Sequence, residues 1–510
     1  MFFVLIGVVI ARPGSKELVL GTLSASPLGT FRATYLEPAW SIVHLAARCH
    51  ILGVSGRSSL GPPAHGRPTI QRVIDRSKVL FFMGRDVHTS EQHGMRNRVR
   101  GGILAREMRL PLVTFALFVL VGSFVLSAAP VSAAPVSAAP DLAASASTDF
   151  YGAPVADLET YTPGSIVRRE TMPQLDVLGS HTERILYRSA DPRDRAVAVS
   201  GLLITPTSEW NGPGPRPVIA YAPGSYGIAD RCAGSSELGL ATTIPALLPL
   251  LAAGYRVVTT DYQGLGTPGE YEFLGRIAGA RALLDSARAA ARETDAPVVV
   301  YGYSAGGVAS AAAAEVAPTY APDVAVVGAF VGAAPTDPVL RVESQDGTGS
   351  AATMLYTIVG LIGAHPDQAD DIRALFNDQG RAALDAAQDF CTIDALTYGS
   401  LRSEDLTVDG RSLCALMEGP VLGPLTAENT VGFTAPAVPV MIAHGVHDRS
   451  VGIEHSRLLA DRWRAGGATD VTVREYEFGT DLVPAFDHPG TNVVAYPEVI
   501  RWIDGLVGRA

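Results

Sequence analysis

The 510-residue chain predicts an α/β fold, a mostly parallel central sheet with helices on both faces, and three observations carry that expectation. Strand-length apolar or alternating runs recur at 184–188, 196–204, 218–221, 255–260, 298–303, 324–330 and 438–445, most of them separated by helical patterns. Alternation at this spacing implies right-handed crossovers and parallel pairing. The third observation is the run Val298-Val299-Val300-Tyr301, which ends abruptly in Gly302-Tyr303-Ser304-Ala305-Gly306-Gly307 and leads into a small-residue helix over 308–317. Buried strand, sharp turn and helix are the context in which a Gly-x-Ser-x-Gly presents a nucleophilic serine, with the helix amides aimed at it.

Residues 1–94 open with a short apolar stretch, 2–10, then lose any sustained period, carry Gly61-Pro62-Pro63 and scattered arginines, and predict no particular fold. Residues 95–139 have the layout of a secretory signal peptide followed by an Ala/Pro-rich linker. Met95-Arg96-Asn97-Arg98-Val99-Arg100 and 106–109 form a basic lead, 110–126 is uncharged and apolar, and 127–139 repeats Ala-Pro-Val-Ser-Ala. Small residues in Val131-Ser132-Ala133 and Val136-Ser137-Ala138 offer two cleavage points. The competing expectation is a membrane anchor through 110–126, although that run is short for a span of ~20 residues. A leader beginning near residue 95 also implies a natural start at Met95 or Met108.

The net charge is −11, and residues 1–109 are Arg-rich, so the remainder is more acidic than the whole. No basic stripe remains to neutralise phosphates, which excludes a nucleic-acid partner. Three cysteines fall in the exported part, Cys232, Cys391 and Cys414, enough for one bridge and one free thiol in an oxidising compartment. No Cys/His cluster has metal-ligand spacing, so neither a metal nor a cofactor is expected.

Residues 149–171, rich in Tyr, Pro and Gly, read as a leading arm. The strand at 218–221 ends in Pro223-Gly224-Ser225-Tyr226-Gly227, a helix runs to Ala253, and the strand at 255–260 closes in Asp261-Tyr262-Gln263-Gly264-Leu265-Gly266. An Ala-rich helix over 277–292 precedes the serine strand. From 337 to 432 the rhythm breaks, with one apolar run at 354–363, which marks an insertion: a cap over the site or extra packing. The core, 140–336 and 433–510, resumes with a strand to Gly445, a helix over 454–465, a strand over 471–478 and a final helix over 493–506.

A serine at its ordinary pKa needs a histidine base and a carboxylate to orient it, and in sheets of this kind these follow in the order Ser, Asp/Glu, His. Asp448, just past one strand, and His488, past the next, fit that order behind Ser304. His444, His447 and His455 flank the same loop as Asp448, and His181 and His365 fall outside the order. Asp487 competes for the acid, but it is adjacent to His488. The amide of Ala305 and one from Ser225 or Tyr226 would hold the negative charge of a tetrahedral intermediate.

These stretches resemble the secretory lipases typified by fungal enzymes and widespread in actinobacteria. The likeness rests on Ile185-Leu186-Tyr187-Arg188-Ser189, 196–201, Ala222-Pro223-Gly224-Ser225, Asp230-Arg231-Cys232-Ala233, 261–266, 302–307 and Tyr320-Ala321-Pro322, and extends more faintly to Asp448 and His488. It spans residue 150 to the C-terminus. The resemblance implies an α/β-hydrolase with a helical lid at 337–432 that cleaves acylglycerol esters through Ser304, Asp448 and His488, with transient contact to a lipid interface. It also implies a bridge from Cys232 to a lid cysteine, either Cys391 or Cys414, while a local Cys391–Cys414 pair stays open. Pro223-Gly224 stands where the family often has His-Gly. The expectation is therefore an exported serine esterase or triacylglycerol lipase working through an acyl-enzyme in lipid catabolism. Acyl transfer or peptide cleavage on the same residues, and a catalytically inactive binding protein on this fold, are the alternatives.

Overall fold

The computed structural model describes residues 6–11, 18–25, 31–35, 147–152, 155–292, 294–397, 400–480 and 486–509. The predicted leader, 95–139, lies outside them. The chain divides into two compact units, 1–96 and 97–510. In the first, β1 (Ile6–Ala11), β2 (Leu18–Ala25) and β3 (Phe31–Tyr35) pair antiparallel in chain order. The sequence assigns no fold to this stretch, because such brief runs show no period, yet they can pair with one another.

The second unit begins with α1 (Ser147–Gly152), β4 (Ile166–Thr171), β5 (Ser180–Ala190) and β6 (Ala196–Pro206). There follow β7 (Val218–Ala222), α2 (Glu237–Ala252), β8 (Arg256–Thr259), α3 (Arg276–Ala291), β9 (Val298–Tyr303), α4 (Ala305–Tyr320) and β10 (Val326–Gly332). The insertion contributes α5 (Pro338–Gln345), α6 (Ala352–Ala364), α7 (Ala369–Ala374), α8 (Asp378–Ala387), α9 (Thr392–Thr397), α10 (Leu413–Met417) and α11 (Leu422–Asn429). The core ends with β11 (Val440–Gly445), α12 (Glu454–Ala465), β12 (Val471–Tyr476) and α13 (Asp487–Leu506).

Nine strands form one sheet in the order β12-β11-β10-β9-β7-β8-β6-β5-β4, parallel from β12 through β8 and antiparallel from β8 to β4. The expected α/β-hydrolase architecture is present. One face is covered by α3 and α4, whose alanines and glycines allow close approach, together with Leu459 and Trp463 of α12. The other carries Leu247, Leu250 and Leu251 of α2 and Tyr496, Val499 and Ile503 of α13. The buried carboxylate of Glu315 on α4 accepts the Trp463 indole N–H at 3.0 Å and the Gly432 amide at 2.7 Å, and pairs with Arg276 at 2.8 Å. Those bonds tie both helices to the end of the insertion. Such a paired, fully hydrogen-bonded charge is tolerated inside, whereas removing one partner is costly.

Two sequence expectations are corrected. The leading arm contains β4, which pairs with β5 (Arg169 opposite Ile185); its charged, half-exposed residues hid a strand that needs only one covered face. The last helix starts at Asp487, before 493, because Pro489 lies in the first turn, where a missing N–H costs no hydrogen bond. His488 therefore sits on a helix and not in the loop ahead of it.

Candidate active site

The site is placed by a break in strand order. β7 lies between β8 and β9, so the connections leaving β7 and β9 run to opposite sides and open a crevice at their C-terminal ends. The β7–β9 register sets Ala222 opposite Gly302, which brings Pro223-Gly224 alongside Tyr303-Ser304. A Cβ built at Gly224 would stand 3.5 Å from Cβ of Ser304.

Ser304 has φ 59° and ψ −125°, a conformation L-residues rarely adopt, and directly precedes α4. This strained backbone requires its neighbours to be bare. A Cβ at Gly306 would lie 1.9 Å from the Ala222 carbonyl oxygen, so no larger residue fits. The turn is held by the Ser304 amide, which donates to the Gly332 carbonyl at 2.8 Å. Ala305 follows as the first residue of α4, where an amide has no helical acceptor. Ser225 and Tyr226 are held from the insertion: Thr392 donates its hydroxyl to the Ser225 carbonyl at 3.0 Å and its amide to the Tyr226 carbonyl at 2.8 Å. Cys391, next to Thr392, is bonded to Cys232, and Cys414 is a free thiol.

Asp448 and His488 meet: Nδ1 of His488 lies 2.6 Å from Oδ2 of Asp448, whose side chain is fully buried. Adjacent parallel strands β11 and β12 bring together residues 40 positions apart. Close packing of α13 on the end of β11 completes the approach, since a Cβ at Gly445 would stand 2.3 Å from Oγ1 of Thr491. The amides of Ser450 and Val451 donate to Oδ1 of Asp448 at 2.9 and 3.0 Å. Burial pushes the Asp448 pKa up, but the charge of His488, the nearby ring of His444 with Nε2 at 3.6 Å, and the bonds from His488 and Val451 outweigh it and hold the acid well below the usual carboxylate range. A carboxylate that accepts Nδ1–H leaves Nε2 as the basic nitrogen. That atom is buried and makes no hydrogen bond among the described residues, so Ser304 and His488 are not joined by one.

The rival residues are otherwise engaged. Nε2 of His444 faces the Val451 carbonyl at 2.9 Å, which only accepts, so Nε2 carries the hydrogen and Nδ1 accepts from Ser456 at 2.6 Å. His447 pairs with Glu477 at 3.3 Å on the surface. His455 is buried with both ring nitrogens unpartnered, and burial pushes its pKa down to about 4. His181 is exposed and His365 caps α6. Asp487 accepts the Thr480 amide at 2.6 Å and lies 3.4 Å from Arg449, turned away from His488.

Sequence reasoning missed two positioning tyrosines. Tyr303 donates to the backbone carbonyl of His488 at 2.6 Å and sets its ring 5.2 Å from the imidazole. Tyr262, at φ 70°, donates to the Pro223 carbonyl and so tethers the loop beside Ser304. Their signal was an aromatic residue beside each motif, Tyr262 next to Asp261 and Tyr303 next to Ser304. Among the described residues no His/Cys/Asp/Glu group has the arrangement of a metal site.

With this geometry in hand, known proteins offer a comparison. A model of the secretory lipase family matches residues 235–507. A probable inactive lipase of Mycobacterium tuberculosis is 28% identical over 385 residues, covering 71% of this chain and 83% of its own. Lipase 1 of Candida albicans is 26% identical over 392 residues, 70% of this chain and 79% of its own. Among solved structures, Candida antarctica lipase A superposes with a TM-score of 0.58 at 23% identity, over 67% of this chain and 86% of that one, a likeness of fold.

Proposed function

The chain belongs to the secretory lipase family, and from that premise we propose that it is an exported serine hydrolase of carboxylic esters, with acylglycerols as its substrate class. The observation that carries this reading is the 2.6 Å contact between His488 and buried Asp448 at the sheet end that presents Ser304. In the proposed cycle Nε2 of His488 takes the Ser304 proton as Oγ attacks the ester carbonyl. The Ala305 amide and that of Ser225 or Tyr226 hold the oxyanion, and Asp448 stabilises the imidazolium. His488 then protonates the departing alcohol, leaving an acyl-enzyme that water cleaves by the same steps. Hydrogen bonds between nucleophile and base are commonly long before substrate binds, which accommodates the unpartnered Nε2.

Helices α5 to α11 serve as the lid in this reading. Support comes from their seat on the loops around the crevice: Phe390 accepts from Ile228 at 3.0 Å, and Tyr356 packs edge-on against Phe273 with ring centroids 5.5 Å apart. Export through residues 95–139 is part of the proposal, with family membership as its support. Fluorophosphonate labelling of wild type and of Ser304→Ala, with turnover of p-nitrophenyl esters from acetate to oleate, tests the whole reading. Labelling and turnover are expected in the wild type alone; Ser304→Ala at wild-type turnover rejects the mechanism. The second reading, an inactive binding protein, is favoured by the relative named an inactive lipase, and wild-type protein that neither labels nor turns over any ester would establish it.

A further inference from the structure

A pocket of about 310 Å³, mouth included, lies between the first turns of α3 and α4, and its wall includes Ala305, the residue after Ser304. We propose that this pocket seats a free hydroxyl of the substrate's alcohol, so that the preferred esters are those of polyols with an unesterified hydroxyl near the scissile bond, such as monoacylglycerols. The inference rests on Ser304 being the nucleophile.

Three features set this chemistry. The first is an acceptor with nothing to accept: Gln263 lines the pocket, and its buried Oε1 has no hydrogen-bond partner. A buried acceptor left unpaired is costly, and a donor entering the pocket removes that cost. The second is Glu272, whose side chain folds back over Gly275, its carboxyl carbon 2.6 Å from where a Cβ would stand there. Burial pushes this acid up to about 7 against the pull of a hydrogen bond from Asn429, so the wall offers polar oxygens without a settled charge. The third is the start of α3, capped by Gly275, which has no side chain to give. The Arg276 amide is taken by Asn429 at 2.9 Å, while that of Ala278, which lines the pocket, is left without a helical acceptor. The pocket therefore combines acceptors with a donor, and a hydroxyl is the small group that uses both.

Size points the same way. Gly275, Ala278 and Gly279 are among its lining, and the free interior admits no more than about one water molecule. A hydroxyl matches such a space; an acyl tail does not.

The test compares kcat/KM by pH-stat for 1-monobutyrin and propyl butyrate, which share an acyl group and differ in the hydroxyls of the alcohol. The wild-type full chain should favour monobutyrin by about tenfold or more, because a site built to pair a hydroxyl rejects the analogue that lacks it. Gln263→Leu should pull that ratio down about tenfold, and Ala278→Val, which adds bulk to the lining, should do the same. A wild-type ratio near one overturns the proposal without any variant, as does a ratio unmoved in both variants. Ser304→Ala separates the two readings. If it abolishes turnover of both esters while the ratio is one, only the pocket assignment falls; if it leaves turnover intact, the nucleophile assignment falls with it.

Discussion

Replacing Asp448 by Asn tests the site at its most constrained atom. Oδ1 of Asp448 accepts two backbone amides, from Ser450 at 2.9 Å and Val451 at 3.0 Å, and Oδ2 accepts Nδ1–H of His488 at 2.6 Å. An Asn must choose which side receives its NH2. Turning the NH2 toward the amides strands two buried donors, at about 1–3 kcal/mol each. The oxygen therefore stays on the amides, and the NH2 faces Nδ1. Two donors cannot pair, so the imidazole moves its hydrogen to Nε2, the atom that takes the Ser304 proton in the proposed cycle. The loop keeps its bonds and the fold survives, while the base is lost to the wrong tautomer. Where this exchange has been made in a serine hydrolase triad it lowers kcat by about 10⁴, equivalent to about 5.5 kcal/mol of barrier. The assay is kcat for p-nitrophenyl butyrate, with thermal unfolding and circular dichroism to establish that the variant is folded. A folded Asp448→Asn protein with kcat within tenfold of wild type would refute both the tautomer argument and the role assigned to His488.

Two further outcomes follow from the same geometry. Tyr262→Phe removes the hydroxyl that tethers the Pro223 carbonyl, and kcat should drop about tenfold with KM little changed, the worth of one buried hydrogen bond felt mainly in the transition state; equal kcat values would remove Tyr262 from the machinery. His455 makes stability fall in mild acid: burial, chiefly, and the neighbouring His444, Arg341 and Arg462 hold its folded pKa near 4, below the ordinary 6.5, with only Asp337 opposing. Between those values the unfolded chain binds a proton that the folded one refuses, so stability declines as pH falls below 6.5 and the decline is complete below about 4, costing roughly 3 kcal/mol. Calorimetric melting temperatures from pH 7.5 to 4 should fall less steeply in His455→Leu than in wild type, and parallel slopes would sink the assignment.

The parts of this molecule that could be read in advance are those whose cause is local. The run 298–303 is apolar because its strand is covered on both faces, and Gly302 and Gly306 are bare because a Cβ at either would meet backbone within 2 Å. Both signals sit within ten residues of Ser304, and the same holds for the βα alternation from 218 to 332. The misreadings have local causes too. β4 is a polar edge strand with too few buried residues to show a period, and the last helix starts before 493 with Pro489 in its first turn, where proline is tolerated.

Other features had no local signature, because they are contacts between segments far apart in the chain. Six histidines lie beyond residue 109, and nothing in their immediate sequence distinguishes His488 from His444. The distinction comes from neighbours: Ser456 and the Val451 carbonyl occupy both nitrogens of His444, whereas α13 delivers His488 to Asp448. The choice of Cys391 over Cys414 as partner of Cys232 arises in the same way, from the antiparallel bridge that lays Cys391 beside Gly227. Composition and periodicity by themselves determined a parallel sheet with a strained serine at the end of one strand, since burial and backbone strain act residue by residue. Tertiary structure alone decided that His488 meets Asp448 and Cys391 meets Cys232, because hydrogen bonds and disulfides form only where the fold has already brought two atoms within reach.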